Sequence, residues 1–253
     1  MTPSSDNDAL QRRVTRLTGL VGVLAILWIA TVLWVVFRGA TIPSTIVVER
    51  LEIREPDGHL AFALANSARP TVGTMDGEVI MADQAEDRRF PHFIFFDGKG
   101  DEVGGMMMRE SAGEDGPNIA RFMTFDGYQH QETVVLGYTH DPNGTVTGLR
   151  VIDHLSGVSL LEALAKLGLE PGFTRDDAAA AIETIPAEER QARMRELTGS
   201  TRVVVGSRRD SAAVLELNDG NGRPRIVLEV PADGQPSIRV LDVNGEAVLR
   251  LPR

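Results

Sequence analysis

Five histidines, three Asp-x-Asn-Gly tetrapeptides and a run of three methionines are the residues in this chain whose types suit chemistry. The histidines are His59, His92, His130, His140 and His154. No two are spaced H-x-x-x-H or H-E-x-x-H, so the helical zinc-hydrolase arrangement is missing. His140-Asp141 and Asp153-His154-Leu155-Ser156 set the residue types of a Ser/His/Asp relay side by side. Such a relay is defined by geometry rather than order, and the chain has no G-x-S-x-G elbow. These pairs read as polar loop residues, and no catalytic residue is assigned.

The tetrapeptides Asp141–Gly144, Asp219–Gly222 and Asp242–Gly245 resemble the start of a calcium loop. An EF-hand needs oxygen ligands at loop positions 1, 3 and 5 and an acidic residue at 12. Arg223 occupies a ligand position after Asp219, and Lys99 does so in Asp97-Gly-Lys-Gly-Asp101. The better reading is one recurrent hairpin turn, with Asp bonding amides two residues on and Asn and Gly tolerating a left-handed backbone. Met106-Met107-Met108 lacks the spacing of a thioether copper site and reads as core packing. The glycine-rich stretch Asp97–Gly105 lacks G-x-G-x-x-G and a following helix, so it holds no nucleotide. No metal and no cofactor is expected.

The elements that must carry these residues begin with a membrane signal. Leu17 to Phe37 is 21 residues without a charge, which as a helix spans roughly 31 Å, about the thickness of a bilayer core. A cleaved signal peptide has an apolar region of only about 7–15 residues and a small-x-small site, and Arg-Gly-Ala-Thr-Ile-Pro after Phe37 offers none. The segment therefore reads as an uncleaved anchor. Arg12, Arg13 and Arg16 precede it and only Arg38 follows, so the positive-inside bias puts residues 1–16 in the cytoplasm and the rest outside. Trp34 and Phe37 fit the outer interfacial belt, Trp28 falls near the centre, and Thr18 with Gly22 permits a close helix neighbour.

Past a linker at 38–45 the pattern turns to period two with turn punctuation. Leu51–Arg54, Leu60–Leu64, Phe93–Phe95, Met106–Met108, Phe122–Phe125 and Val134–Leu136 read as strands of a β-rich first part over 46–155. Residues 66–91 hold at most a short strand at Val79–Met81; as a long loop they are a fair place for partner contact. A helical insertion is expected at 156–200. Leu160, Leu161, Leu164 and Leu167 share one face there, and Thr174 with Asp177 forms a capping box before Arg175–Ile185. A polar helix then covers Glu188–Leu197. From 201 to 253 four runs ending in Ala247–Leu251 predict a four-stranded antiparallel meander. The fold class is thus mainly β: one membrane helix and an antiparallel, sandwich-like domain with a helical insertion.

Three blocks carry a resemblance: Glu55-Pro56-Asp57-Gly58 with Ala65-Asn66, Phe96–Gly105, and Phe125–Val134. With the ending Leu217–Arg225 through Leu241–Gly245, they resemble a family of uncharacterised bacterial proteins. The likeness covers most of 46–253. It implies one N-terminal membrane helix and a β-rich outer domain, and it brings no activity or catalytic residue with it.

Composition narrows the partners. Zero cysteine excludes disulfides, thiolate metal sites and cysteine nucleophiles. Residues 1–16 hold two Asp and three Arg, and Arg38 adds one cation, so the −10 of the chain becomes −12 on residues 39–253. That outer acidity excludes nucleic acid and suits water or a basic partner. The expectation is a non-catalytic accessory or structural subunit of a bacterial inner-membrane or envelope complex. Its partners would be the membrane and other membrane or periplasmic subunits. A sensory or small-ligand-binding ectodomain is the alternative, and an envelope hydrolase using His140, Asp153 or His154 stands behind both.

Overall fold

A computed structural model of the chain describes residues 4–39, 44–154 and 157–252. It divides into two compact units, Met1–Val48 and Glu49–Arg253. The first is a single helix, α1 (Ser4–Gly39), of 36 residues. Within it Leu10–Phe37 has a mean hydropathy of 2.7, long and apolar enough to cross a membrane. The helix starts well upstream of Leu17, so Arg12, Arg13 and Arg16 are helical and exposed. Its threonines are satisfied internally: Thr18 Oγ1 donates to Val14 O at 2.9 Å and Thr31 Oγ1 to Leu27 O at 2.8 Å. A hydroxyl bonded one turn back leaves no polar group to face lipid. Residues 40–43 of the expected linker lie outside the described residues.

The second unit is built on one sheet, and the whole chain is mainly β, with 41% strand and 25% helix. Its strands are β1 (Arg50–Arg54), β2 (Leu60–Ala65), β5 (His92–Phe96), β6 (Glu102–Gly113), β7 (Gly116–Asp126), β8 (Glu132–Asp141) and β9 (Gly144–Asp153), then β10 (Ser200–Ser207), β11 (Ala213–Asn218), β12 (Pro224–Val230), β13 (Ser237–Leu241) and β14 (Ala247–Leu251). These twelve run in sequence order with every neighbouring pair antiparallel. β3 (Thr74–Met75) and β4 (Glu78–Val79) form a separate hairpin, followed by α2 (Gln84–Asp87). β9 pairs with β10 from Asp153↔Ser200 to Thr147↔Ser207, so the two β-rich parts form one continuous sheet. The Ser200–Ser207 strand falls at the start of the 201–253 segment, ahead of its four expected strands, and makes the meander five-stranded.

The helices α3 (Leu160–Ala165), α4 (Arg175–Glu183) and α5 (Ala187–Thr198) leave the sheet between β9 and β10. Thr174 and Asp177 form the reciprocal cap expected of them, and Ser159 with Glu162 forms a second at α3. Each reciprocal cap satisfies orphan amides at a helix start. The main core lies among these helices and the β3–β4 hairpin. Met75, Leu160, Ala163, Leu164, Leu169 and Leu197 are buried there, with Phe173 and Met194 against them. A smaller core of Ala63, Ile94 and Phe96 sits on β2 and β5.

Candidate functional site

Directly paired residues of an antiparallel sheet point to the same side, so the register sorts every strand residue onto one of two faces. Ala61, Ala63, Ala65, His92, Ile94, Met107, Glu102, Thr124, Val135 and Arg150 fall on the first face. Segment 66–91 lies across its β1–β6 end: Arg50 Nη1 donates to Pro70 O at 3.0 Å, and the Thr71 amide donates to His92 Nε2 at 3.1 Å. The short side chains of Ala61, Ala63 and Ala65 are buried under it. At the far end this covered face is ionic instead. Arg208 pairs with Glu216 and, at 3.4 Å, with Glu229, which Arg239 reaches at 2.9 Å.

The second face carries the large apolar residues. Phe62, Leu64, Met106, Met108, Phe125, Leu136, Val205, Leu217, Leu228, Ile238, Leu249 and Leu251 belong to it by register, and each is 37–54% exposed. Every strand contributes; Phe93 and Phe95 on β5 and Leu149 and Val151 on β9 complete the row. Gly104 of β6 pairs with both Phe95 and Phe125, and the two rings stack over it with centroids 6.3 Å apart. The core role expected for the methionine run is overturned: Met106 and Met108 lie on this open face and Met107 opposite, because the covering segments pack on the other side.

The covered face also holds a cavity of about 230 Å³, bounded by the β3–β4 hairpin, α3 and the strand ends that bear Glu102, Asp126 and Glu132. Phe96↔Glu102 and Asp126↔Glu132 are the last register pairs of their hairpins, which is what gathers three carboxylates there. Arg88 Nη2 donates to both oxygens of Glu102 at 2.8 Å. A Cβ on Gly73 would stand 2.1 Å from Glu102 Oε2, so only glycine admits that carboxylate beside the loop. Burial pushes Glu102 up and Arg88 opposes it. At Asp126 burial first, then Glu102 and Glu132, outweigh the more weakly felt Arg88 and raise the carboxyl to about 7, and its Oδ1 is buried without a hydrogen-bond partner among the described residues. A carboxyl titrating near neutrality beside a small, half-apolar cavity can hold a proton or a small hydrogen-bond donor or cation. Sequence reasoning did not single out Arg88, Glu102, Asp126 or Glu132; for the three carboxylates, position at strand ends beside turns was the available signal, and Arg88 at the end of α2 offered none.

Three of the five histidines stand apart, and two stack. His59 lies 3.2 Å from Asp57 at an exposed turn, and His140 Nδ1 is 2.9 Å from Thr145 Oγ1. His92 is structural, its Nδ1 2.8 Å from Phe90 O while its Nε2 accepts from Thr71, and burial lowers its pKa. That pairing requires the neutral ring protonated on Nδ1. His130 and His154 stack 4.5 Å apart at the cavity side of β8 and β9, and burial lowers the His130 pKa. Asp141 is held by Arg209 and Asp153 by Arg202. Asp141 pairs with Gly144 at one end of β9 and Asp153 lies nine residues on, roughly 30 Å away; Ser156 lies outside the described residues. Among the described residues no group of three His, Cys, Asp or Glu is placed to hold a metal.

Two of the three tetrapeptides form the same turn. Asp219 Oδ1 accepts from the amides of Asn221 and Arg223, and Asp242 Oδ1 from those of Asn244 and Glu246, with Gly222 at φ 76° and Gly245 at φ 85°. Those amides hold both carboxyls below the usual range. Asp97, with Gly100 at φ 85°, is built alike. Asp141 departs from the expectation of one shared turn. It pairs directly with Gly144 across a two-residue loop, and its Oδ1 accepts from the Asn143 amide and from Arg209. On α1 the expected anchor residues Leu17, Trp28, Trp34 and Phe37 are all exposed.

These features define a class: a β-meander domain, open on its apolar face, carried by one long apolar helix. No known protein family, curated protein or solved structure matches the chain.

Proposed function

We propose that this protein is a non-catalytic, membrane-anchored accessory or structural subunit of a bacterial inner-membrane or envelope complex. In this reading α1 spans the bilayer with its N-terminus in the cytoplasm, as the excess of Arg12, Arg13 and Arg16 over Arg38 favours. The acidic sheet domain then works in the periplasm through contacts with protein. One observation carries the reading: a sheet face of large apolar side chains that none of the described residues of its own unit covers. Exposed apolar area on that scale marks an interaction surface. Solubilisation in mild detergent, followed by sizing and mass spectrometry, tests it. The expected result is a discrete assembly larger than one chain; a lone monomer with the face open to solvent sinks it.

The Asp126 cavity favours a second reading, a ligand-binding ectodomain. Thermal-shift screening with small amines and cations at pH 6 and pH 8 separates the two, because only a ligand site responds to the probe in an Asp126-dependent way.

A further inference from the structure

We infer that the open face is covered by a second copy of this chain, two sheets packing face to face about a twofold axis near β8 and β9. The inference rests on the docking reading above and names the occupant. Area is the first argument. Twelve strands at about 4.8 Å and roughly five shared residues at about 3.3 Å give a face of ~55 by ~17 Å, or ~900 Å². Two copies bury ~1,800 Å² together, within the roughly 1,200–2,000 Å² of stable specific interfaces.

Charge selects the partner. Residues 39–253 carry −12, so two copies repel each other across most of their surface. The open face is nearly neutral: by register its charged strand residues among those described are Glu110 and Arg121, toward the far end of β6 and β7, and Asp153 at the end of β9, which Arg202 pairs. Arg121 already lies 5.7 Å over the Tyr138 ring. An anionic bilayer is a poor alternative, because lipid docking wants a cationic flank and meets this acidic domain instead. A flat neutral apolar face is complementary to itself, which an isologous twofold contact requires.

Shape agrees with that axis. β8 and β9 are the sixth and seventh of the twelve strands, so full overlap places the axis between them. The rotation sets the aromatic end, with Phe62, Phe93 and Phe95, over the aliphatic end, with Leu228, Ile238 and Leu249. Large side chains then meet smaller ones, as interdigitating layers need.

The chain has no cysteine, so single thiols report cleanly. Full-length L136C and L149C in native membranes are treated with a bis-maleimide of about 10 Å span, near the spacing of packed sheets. R150C, next to Leu149 but on the other face, is the control. The expected product is a species at twice the 27.5 kDa chain mass, at least tenfold more abundant for L136C and L149C than for R150C. Leu136→Arg should abolish cross-linking of L149C. Adducts at another mass overturn the second copy while leaving the docking surface standing. No adduct, with a single-chain mass in detergent, overturns both. Equal yields from R150C overturn the face assignment.

Discussion

The two faces of the sheet invert the usual arrangement. Cover from the same chain, the 66–91 segment at one end and the β3–β4 hairpin with the helices around the cavity, lies on the side bearing alanines, Thr124, Glu102 and Arg150, where Ile94, Phe96, Val135, Val214 and Val227 are buried too. The other side bears most of the large Phe, Leu, Ile, Val and Met side chains, and among the described residues of the unit nothing covers it. A single sheet gains little from burying Ala61, Ala63 and Ala65, since each offers one methyl, at roughly 25 cal/mol per Å². The apolar area that could contribute most is left outside. The difference teaches that this domain has two separate stabilities. One belongs to the covered face and is intramolecular; the other belongs to the open face and depends on what docks there.

Substitutions on the covered face should break that comparison most strongly. Arg88→Ala strips the buried Glu102 carboxylate of its counter-ion and is expected to cost about 3–5 kcal/mol of unfolding free energy in denaturant titration. Asp126→Asn acts through pH. The native carboxyl titrates at about 7 against 3.8 unfolded, so between those values the native chain holds a proton the unfolded chain has lost. Stability therefore falls as pH rises through that window and the full cost is present above it. Asn carries no such proton, and D126N should gain on the wild type between pH 4 and pH 8 by up to about 4 kcal/mol in thermal unfolding. Leu164→Ala, in the helix core, should lose about 3 kcal/mol. Ser159→Ala, which removes one half of a reciprocal cap, should lose about 1 kcal/mol by the same titration. Glu229→Gln, among exposed arginines, should lose under ~1 kcal/mol and less at high salt. If Glu229→Gln proved as damaging as Arg88→Ala, the separation between buried and solvated ionic regions would be wrong.

Much of the fold was legible because its signals are local. Alternation in Ala213–Leu217 and Arg225–Val230 identifies strands, and Thr174 with Asp177 marks a helix start within four residues. Turn chemistry was legible to the extent that it is local too: Asp219 and Asp242 behave alike, whereas Asp141 sits in a tighter loop because strand pairing carries on to Asp141 and Gly144. Three things were not legible. The pairing of β9 with β10 spans the insertion from Asp153 to Ser200, and no short pattern encodes it. Glu102, Asp126 and Glu132 meet because three strand ends share one side, a matter of register, and Arg88 reaches them from the end of α2. Alternation revealed which residues of each strand lie together, as with Met106 and Met108, but which side the loops and helices would cover is a tertiary outcome. The histidines misdirected attention for the opposite reason: their residue type is chemical, yet His92 serves a loop amide and His140 a neighbouring hydroxyl.

The strand order has a kinetic consequence. Among the twelve strands only β2–β5 and β9–β10 pair across inserted segments, so most contacts close short loops, and low contact order favours rapid formation. A chain emerging from its N-terminus can lay each hairpin against a finished edge without waiting for distant residues. Until β14 arrives, every intermediate exposes as its edge a strand that the finished sheet pairs on both sides, beneath a greasy surface, the combination that invites aggregation. Assembly speed is therefore a form of protection, and the tight Asp-Gly turns that set each register are where that speed is decided.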